Sequence, residues 1–166
     1  MIRRGFVMTG EGCIMFSATK RGINVKYYDR KINYYETDQM GIVHHSNYAR
    51  FFEEARVSFM EQAGYPYKRL EDEDIFSPVL SISCKFIHAI KFGDSIRIAV
   101  RMVSMTKVKC RFSYEITDLE SGEIRARGES EHGFITREGR PVIIPNDKPE
   151  FYQAFLAELE EEKGED

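Results

Sequence analysis

From Pro78 onward the chain alternates apolar and polar residues with a period of two. Leu80, Ile82, Cys84 and Phe86 alternate with Ser81, Ser83 and Lys85. Ile96, Ile98, Val100 and Met102 then alternate with Arg97, Ala99 and Arg101. Val108, Cys110, Phe112, Tyr114 and Ile116 face Lys109, Arg111, Ser113 and Glu115 in the same way. Ile124, Ala126, Gly128, Ser130, His132 and Phe134 stand opposite Arg125, Arg127, Glu129 and Glu131. The pattern predicts four consecutive strands with one covered and one solvated face, as in an antiparallel sheet. Lys91–Asp94 and Glu120–Glu123 read as turns, the second of them a hairpin. The inward positions of the last strand are small, so a helix can approach it closely.

The period is different upstream. Tyr48, Phe52, Ala55, Phe59 and Ala63 form one stripe at helical spacing, widened by Phe51 and Met60. They predict a helix over 46–63, stopped by Gly64 and Pro66. Val25–Tyr35 is aromatic and β-branched, with Tyr28, Arg30, Ile32 and Tyr34 on one phase, and reads as a strand ending near Glu36. Residues 65–77 read as a solvated acidic connection, and 147–162 as a second, surface helix carrying Phe151, Phe155, Leu156 and Leu159. The order predicts an α+β fold of the hotdog type: an antiparallel sheet of about five strands wrapped around one long central helix. The domain spans 25–162, after a poorly ordered extension at 1–24 and before an acidic tail at 163–166.

Composition narrows the function classes. The 166 residues carry a net charge of −3, without the basic excess expected of a nucleic-acid binder. Cys13, Cys84 and Cys110 form no C-x-x-C and cannot all pair, so they read as reduced thiols of a cytoplasmic protein. Arg3 and Arg4 precede a short apolar run, but Glu11 and several glycines prevent a signal-peptide core. No stretch approaches the roughly 20 apolar residues of a membrane span, so no membrane insertion is expected. No metal site is expected either, since no second cluster of ligands accompanies the histidine pair. G-x-S-x-G, P-loop and G-x-G-x-x-G motifs are absent, and no cofactor is expected.

The candidate chemistry lies in Tyr34–Tyr48, where an acid, two histidines and a helix start fall close together. A helix start offers unpaired N–H groups and the positive end of the dipole. A carboxylate beside it could attack a carbonyl or activate water while those N–H groups hold the developing oxyanion. Asp38 is the acid; its alternative reading is an ordinary turn carboxylate. His44 and His45, being adjacent, are expected to point in different directions, so only one faces the site. His88 and His132 read as core or loop-edge histidines, each with a hydrogen-bond partner.

Thr37-Asp38-x-x-Gly41-Ile42-Val43, then His45-x-Asn47-Tyr48 and Glu54-Ala55-Arg56, resembles the 4-hydroxybenzoyl-CoA thioesterase family. It looks closest to the bacterial acyl-CoA thioesterase branch that includes the thioesterase of the Tol–Pal gene cluster. The similarity runs from about Tyr27 to Ile144 and takes in Phe92-Gly93-Asp94 and Phe112-x-Tyr114-Glu115-Ile116. It implies a homodimer with a continuous sheet, or a homotetramer built from such dimers, that hydrolyses acyl-CoA thioesters. The catalytic positions of the family fall on Asp38 and on His45, whose backbone N–H would polarise the thioester carbonyl. Tyr34, Gly41, Val43 and Tyr48 would help to bind substrate. Lys107 would meet the coenzyme A phosphates across a subunit boundary. The rival readings are a hotdog hydratase or dehydratase, whose Asp and His are differently spaced, and a non-catalytic acyl-CoA-binding module, which has no need of the acid.

Overall fold

The computed structural model describes residues 24–159; the tail at 163–166 and all of the expected extension except Asn24 lie outside them. β1 (Lys26–Lys31) is followed by a single 3-10 turn at Tyr34–Glu36 and by α1 (Asn47–Gln62). α2 (Tyr67–Asp72) leads to β2 (Val79–Phe86), β3 (Ser95–Met105), β4 (Lys109–Asp118) and β5 (Ile124–Gly133). Two short helices, α3 (Ile144–Asp147) and α4 (Pro149–Leu156), close the fold. The sheet order is β1-β3-β4-β5-β2, and every neighbouring pair is antiparallel. This is the expected hotdog architecture.

The alternation sets the register in β3, β4 and β5. Ile98, Val100, Phe112, Tyr114, Ile116 and Ala126 are buried on the face that carries α1. The ring of Phe52 stacks on Tyr114 at 4.4 Å and that of Phe59 meets Phe112 edge-on at 5.3 Å. Gly128 lies directly under Phe52. On the outer face, cross-strand ion pairs Arg97–Asp29, Arg111–Glu129 and Arg127–Glu115 replace the apolar contacts.

Four expectations are corrected. The strand read as reaching Glu36 stops at Lys31, because the chain turns at Asn33 and Glu36 folds back to accept the Asn33 N–H at 2.7 Å. The connection at 65–77 is not simply solvated: it contains α2, and Tyr65, Leu70 and Ile75 are buried against the core. The C-terminal helix, expected over 147–162, runs only from Pro149 to Leu156; α3 precedes it and ends at Asp147, since Pro149 has no N–H to continue its ladder. Finally, β2 is only partly covered: Cys84 packs against the core and Tyr48 of α1 meets Phe86. The backbone of α1 runs closest to β1 and β3. Leu80, Ile82 and Phe86, on the inward phase of this edge strand, remain about half exposed, at 48%, 46% and 53%.

The β4–β5 hairpin carries a pH dependence. One Asp118 oxygen accepts the Ser121 N–H at 2.7 Å, the Glu120 N–H at 3.0 Å and the Ser121 hydroxyl at 3.0 Å. The other pairs with Arg125 at 3.1 Å. The Ser121 backbone bond above all, then Arg125 and the remaining donors, pull the carboxyl from 3.8 down to about 2. A depressed folded value means that the unfolded chain takes up the proton first. The stabilisation is therefore complete above about pH 4 and is lost as the pH falls towards about 2. Asp118→Asn is expected to be less stable at neutral pH and to lose less stability over that acid window, as read by denaturant melts at stepped pH.

Candidate active site

The Asp38 turn is a small hairpin fastened to the rest of the sheet. The Asp38 N–H donates to Ile42 at 2.9 Å and the Gly41 N–H returns to Asp38 at 2.9 Å. Closing so tight a turn puts Gly41 at φ +74, a conformation that glycine adopts without cost. Thr37 bridges Val43, Ile42 bridges Lys91, and the Val43 N–H donates to Ile90 at 2.8 Å. The turn is thereby held against the β2–β3 connection. Asp38 is half-buried, and its Oδ1 accepts the Met40 N–H at 2.8 Å. No described residue bonds its other oxygen.

The chain then enters α1. The Asn47 N–H donates to His44 at 3.0 Å and the Tyr48 N–H to His45 at 3.3 Å. Among the described residues, none accepts the N–H of His45. That donor lies at the positive end of a 16-residue helix, where an oxyanion is favoured.

The two histidine rings do not point apart. Their centroids are 4.1 Å from each other, because 44–46 form a turn rather than an extended strand, with Ser46 already in helical conformation. The His44 Nδ1 is engaged by the Ser46 hydroxyl at 2.8 Å and its N–H at 3.3 Å, whereas the His45 ring is exposed. Nδ1 of His44 therefore accepts, which leaves His44 positioned by its neighbour and His45 facing solvent.

Of the expected substrate-binding residues, Val43 and Tyr48 are buried beside the turn. Tyr48 meets Phe86 edge-on at 4.8 Å, and burial, above all, pushes its phenol up to about 12. Tyr34 is on the surface, against Phe92 at 5.6 Å. Lys107 is not brought to the turn. It sits in the β3–β4 loop, at the opposite end of β3 from the Asp38 hairpin, roughly 30 Å away at about 3.3 Å per residue. His132 is buried and its Nε2 bonds the Ser130 hydroxyl at 2.7 Å, which in turn meets the Tyr114 hydroxyl at 2.8 Å. Burial, more than the nearby Arg56, lowers its pKa to about 4, so it is neutral. His88, expected to be core or loop-edge with a partner, is exposed, because the chain leaves the sheet after Phe86.

Sequence reasoning missed Glu36, which is 5% exposed, and Arg30, which pairs with it. A charge at Arg30 on the otherwise apolar phase of β1 was the available signal.

The comparisons with known proteins agree with this architecture. The model of the thioesterase-like superfamily matches residues 32–159. A protein of Aquifex aeolicus (strain VF5) bearing a provisional esterase name is 31% identical over 120 residues, covering 72% of this chain and 91% of its own. YneP of Bacillus subtilis (strain 168), provisionally named an acyl-CoA thioesterase, is 26% identical over 126 residues, covering 75% of this chain and 91% of that protein. The crystal structure of a DHNA-CoA thioesterase from Staphylococcus aureus superposes with a TM-score of 0.77 at 25% identity, covering 80% of this chain and 89% of that one. The matched span contains the Asp38 hairpin, α1 and all of the sheet except β1, and on that ground the chain belongs to the thioesterase-like superfamily.

Proposed function

We propose that the protein hydrolyses the thioester of an acyl-CoA to a free acid and coenzyme A. The observation that carries this reading is a His45 N–H that has no acceptor among the described residues, at the start of α1, in the segment that follows a carboxylate held in a fastened turn. A thioester carbonyl is electrophilic and its thiolate leaves readily, so one carboxylate and one fixed donor suffice without a Ser-His-Asp triad. Asp38 acts either as the nucleophile, giving a mixed anhydride that water opens, or as the base that deprotonates water. The His45 N–H takes the carbonyl oxygen in both cases. Assignment to the Tol–Pal-type branch of the 4-hydroxybenzoyl-CoA thioesterases, in the cytoplasm, is part of this proposal and rests on the Asp38-to-Tyr48 motif. Incubation with short-chain, long-chain and aromatic acyl-CoAs is expected to give acid and coenzyme A in equal amounts. Water addition to an enoyl-CoA with the thioester left intact would speak for a hydratase instead.

The proposed active form is an oligomer joined through β2. This strand is the last in the sheet, its outer edge has no partner among the described residues, and Leu80, Ile82 and Phe86 of its apolar phase are about half exposed. An exposed edge of this kind is otherwise an aggregation liability. A second copy pairing there would continue the sheet and cover Leu80, Ile82 and Phe86. It would also allow the partner's Lys107, rather than the chain's own, to approach the substrate. Wild type is expected to sediment at twice the chain mass or a multiple of that, and Ile82→Lys to shift it towards the monomer. A wild-type monomer at micromolar concentration would rule the interface out.

A further inference from the structure

We infer that Glu36 is the positioning residue of this site, fixing the Asp38 turn and the His45 N–H to one another; the inference rests on the reading of Asp38 and His45 as the reacting groups. Four segments converge on this one buried side chain and its carbonyl. Its Oε1 accepts from the Arg30 guanidinium of β1. Its Oε2 accepts the Asn33 N–H at 2.7 Å. Its carbonyl oxygen accepts the His44 N–H at 2.9 Å and the buried Asn47 side-chain amide at 2.8 Å. Asp38 lies two residues beyond Glu36. His45 lies between His44 and Asn47, the two residues that Glu36 holds from the far side of the turn. The acid and the oxyanion donor are thus fixed relative to a common point, although neither touches Glu36.

Arg30 gives that point its rigidity. Its guanidinium lies over the Phe51 ring at 4.1 Å and reaches Glu54 of α1 at 2.7 Å, where the Tyr28 hydroxyl also bonds at 3.2 Å. β1, the turn and the central helix are therefore joined by one Glu36–Arg30–Glu54 assembly. A buried arrangement of this kind is a poor way to gain stability, since desolvating the charges cancels most of their attraction. It is an effective way to hold a geometry, and reactive constellations need their groups held to about 0.5 Å. Arg30 and Glu54 act through Glu36, and Glu36 acts through the two flanks of the hairpin.

Glu36→Gln keeps the size and the backbone carbonyl but weakens the grip of Arg30. In the full chain it is expected to lower kcat for acyl-CoA hydrolysis by about 10- to 100-fold, with KM within about twofold. It should add almost nothing to the loss in an Asp38→Asn background, because both changes act on one group. By hydrogen exchange, the amides of Asp38, Gly41 and His44 should exchange at least about tenfold faster while those of β3 and β4 keep their wild-type rates. Asn47→Ala, which removes only the side-chain donor to the Glu36 carbonyl, should show the same pattern more weakly and serves if Glu36→Gln folds poorly. Unchanged exchange in the turn, or a kcat loss that multiplies in full with that of Asp38→Asn, would overturn the inference. So would faster exchange spread equally through the core, which marks a merely structural residue. If wild type releases no thiol from any acyl-CoA, the thioesterase reading falls, while the exchange result still decides whether Glu36 orders the turn.

Discussion

Asp38→Asn is expected to lower kcat/KM for acyl-CoA hydrolysis by about 10³-fold, the scale seen when a general base or nucleophile is removed from a site whose other parts persist. The substitution is conservative in shape. The asparagine carbonyl still accepts the Met40 N–H that Asp38 Oδ1 takes at 2.8 Å, so the hairpin and Gly41 keep their places. What is lost is the negative charge and the basic lone pair on the oxygen that has no donor among the described residues. The His45 N–H survives, so under the proposed mechanism substrate should still be polarised and some rate over water should remain. Melting temperature should stay within about 2 °C of wild type, since exposed or half-exposed polar changes cost about 0.5 kcal/mol or less. A variant that turned over like wild type would remove Asp38 from the mechanism and leave the fold assignment untouched.

Gly128→Ala is expected to lower stability markedly for a small change in mass. Gly128 sits on the inward phase of β5, paired with Cys84 of β2 and Tyr114 of β4. A Cβ there would stand 2.7 Å from the Ser83 carbonyl oxygen and closer still to the Phe52 ring. Neither neighbour can yield freely. Phe52 is stacked on Tyr114, and Ser83 belongs to the strand whose hydrogen bonds to β5 hold the sheet edge. Forcing a methyl into such a space costs about 1–3 kcal/mol. At roughly 2–4 °C per kcal/mol for a domain of this size, the melting point should drop by several degrees. A variant as stable as wild type would mean that α1 does not lie as close to β5 as described. Because the proposed site lies at the start of α1, a shifted helix should lower activity as well.

Much of the fold was legible because two periods alternate cleanly along the chain. The run Cys110–Ile116 states its own buried face, and the small inward residues Ala126, Gly128 and Ser130 anticipate the close approach of α1. What escaped depends on contacts between distant segments. Leu80 and Ile82 have the same pattern as Ile98 and Val100, yet only the latter pair lies under α1, and sequence alternation cannot say where a helix will end over a sheet. The stretch Glu71–Asp74 hides Leu70 and Ile75, whose burial is set by the core they meet rather than by their polar neighbours. Of the proposed site, the turn at Asp38 and the start of α1 were readable from the turn and helix signals. The pairing of the His44 and His45 rings, the remoteness of Lys107 within one chain and the convergence on Glu36 were not, because each follows from a turn geometry or a long-range register.

The central claim is that Asp38 and the His45 N–H together open a thioester. It is tested most directly by free-thiol release from a panel of short-chain, long-chain and aromatic acyl-CoAs with the wild-type protein. The account predicts turnover of at least one of them with kcat/KM above about 10⁴ M⁻¹ s⁻¹, within the ordinary enzyme range. Thiol release no faster than the spontaneous hydrolysis of every substrate would contradict it.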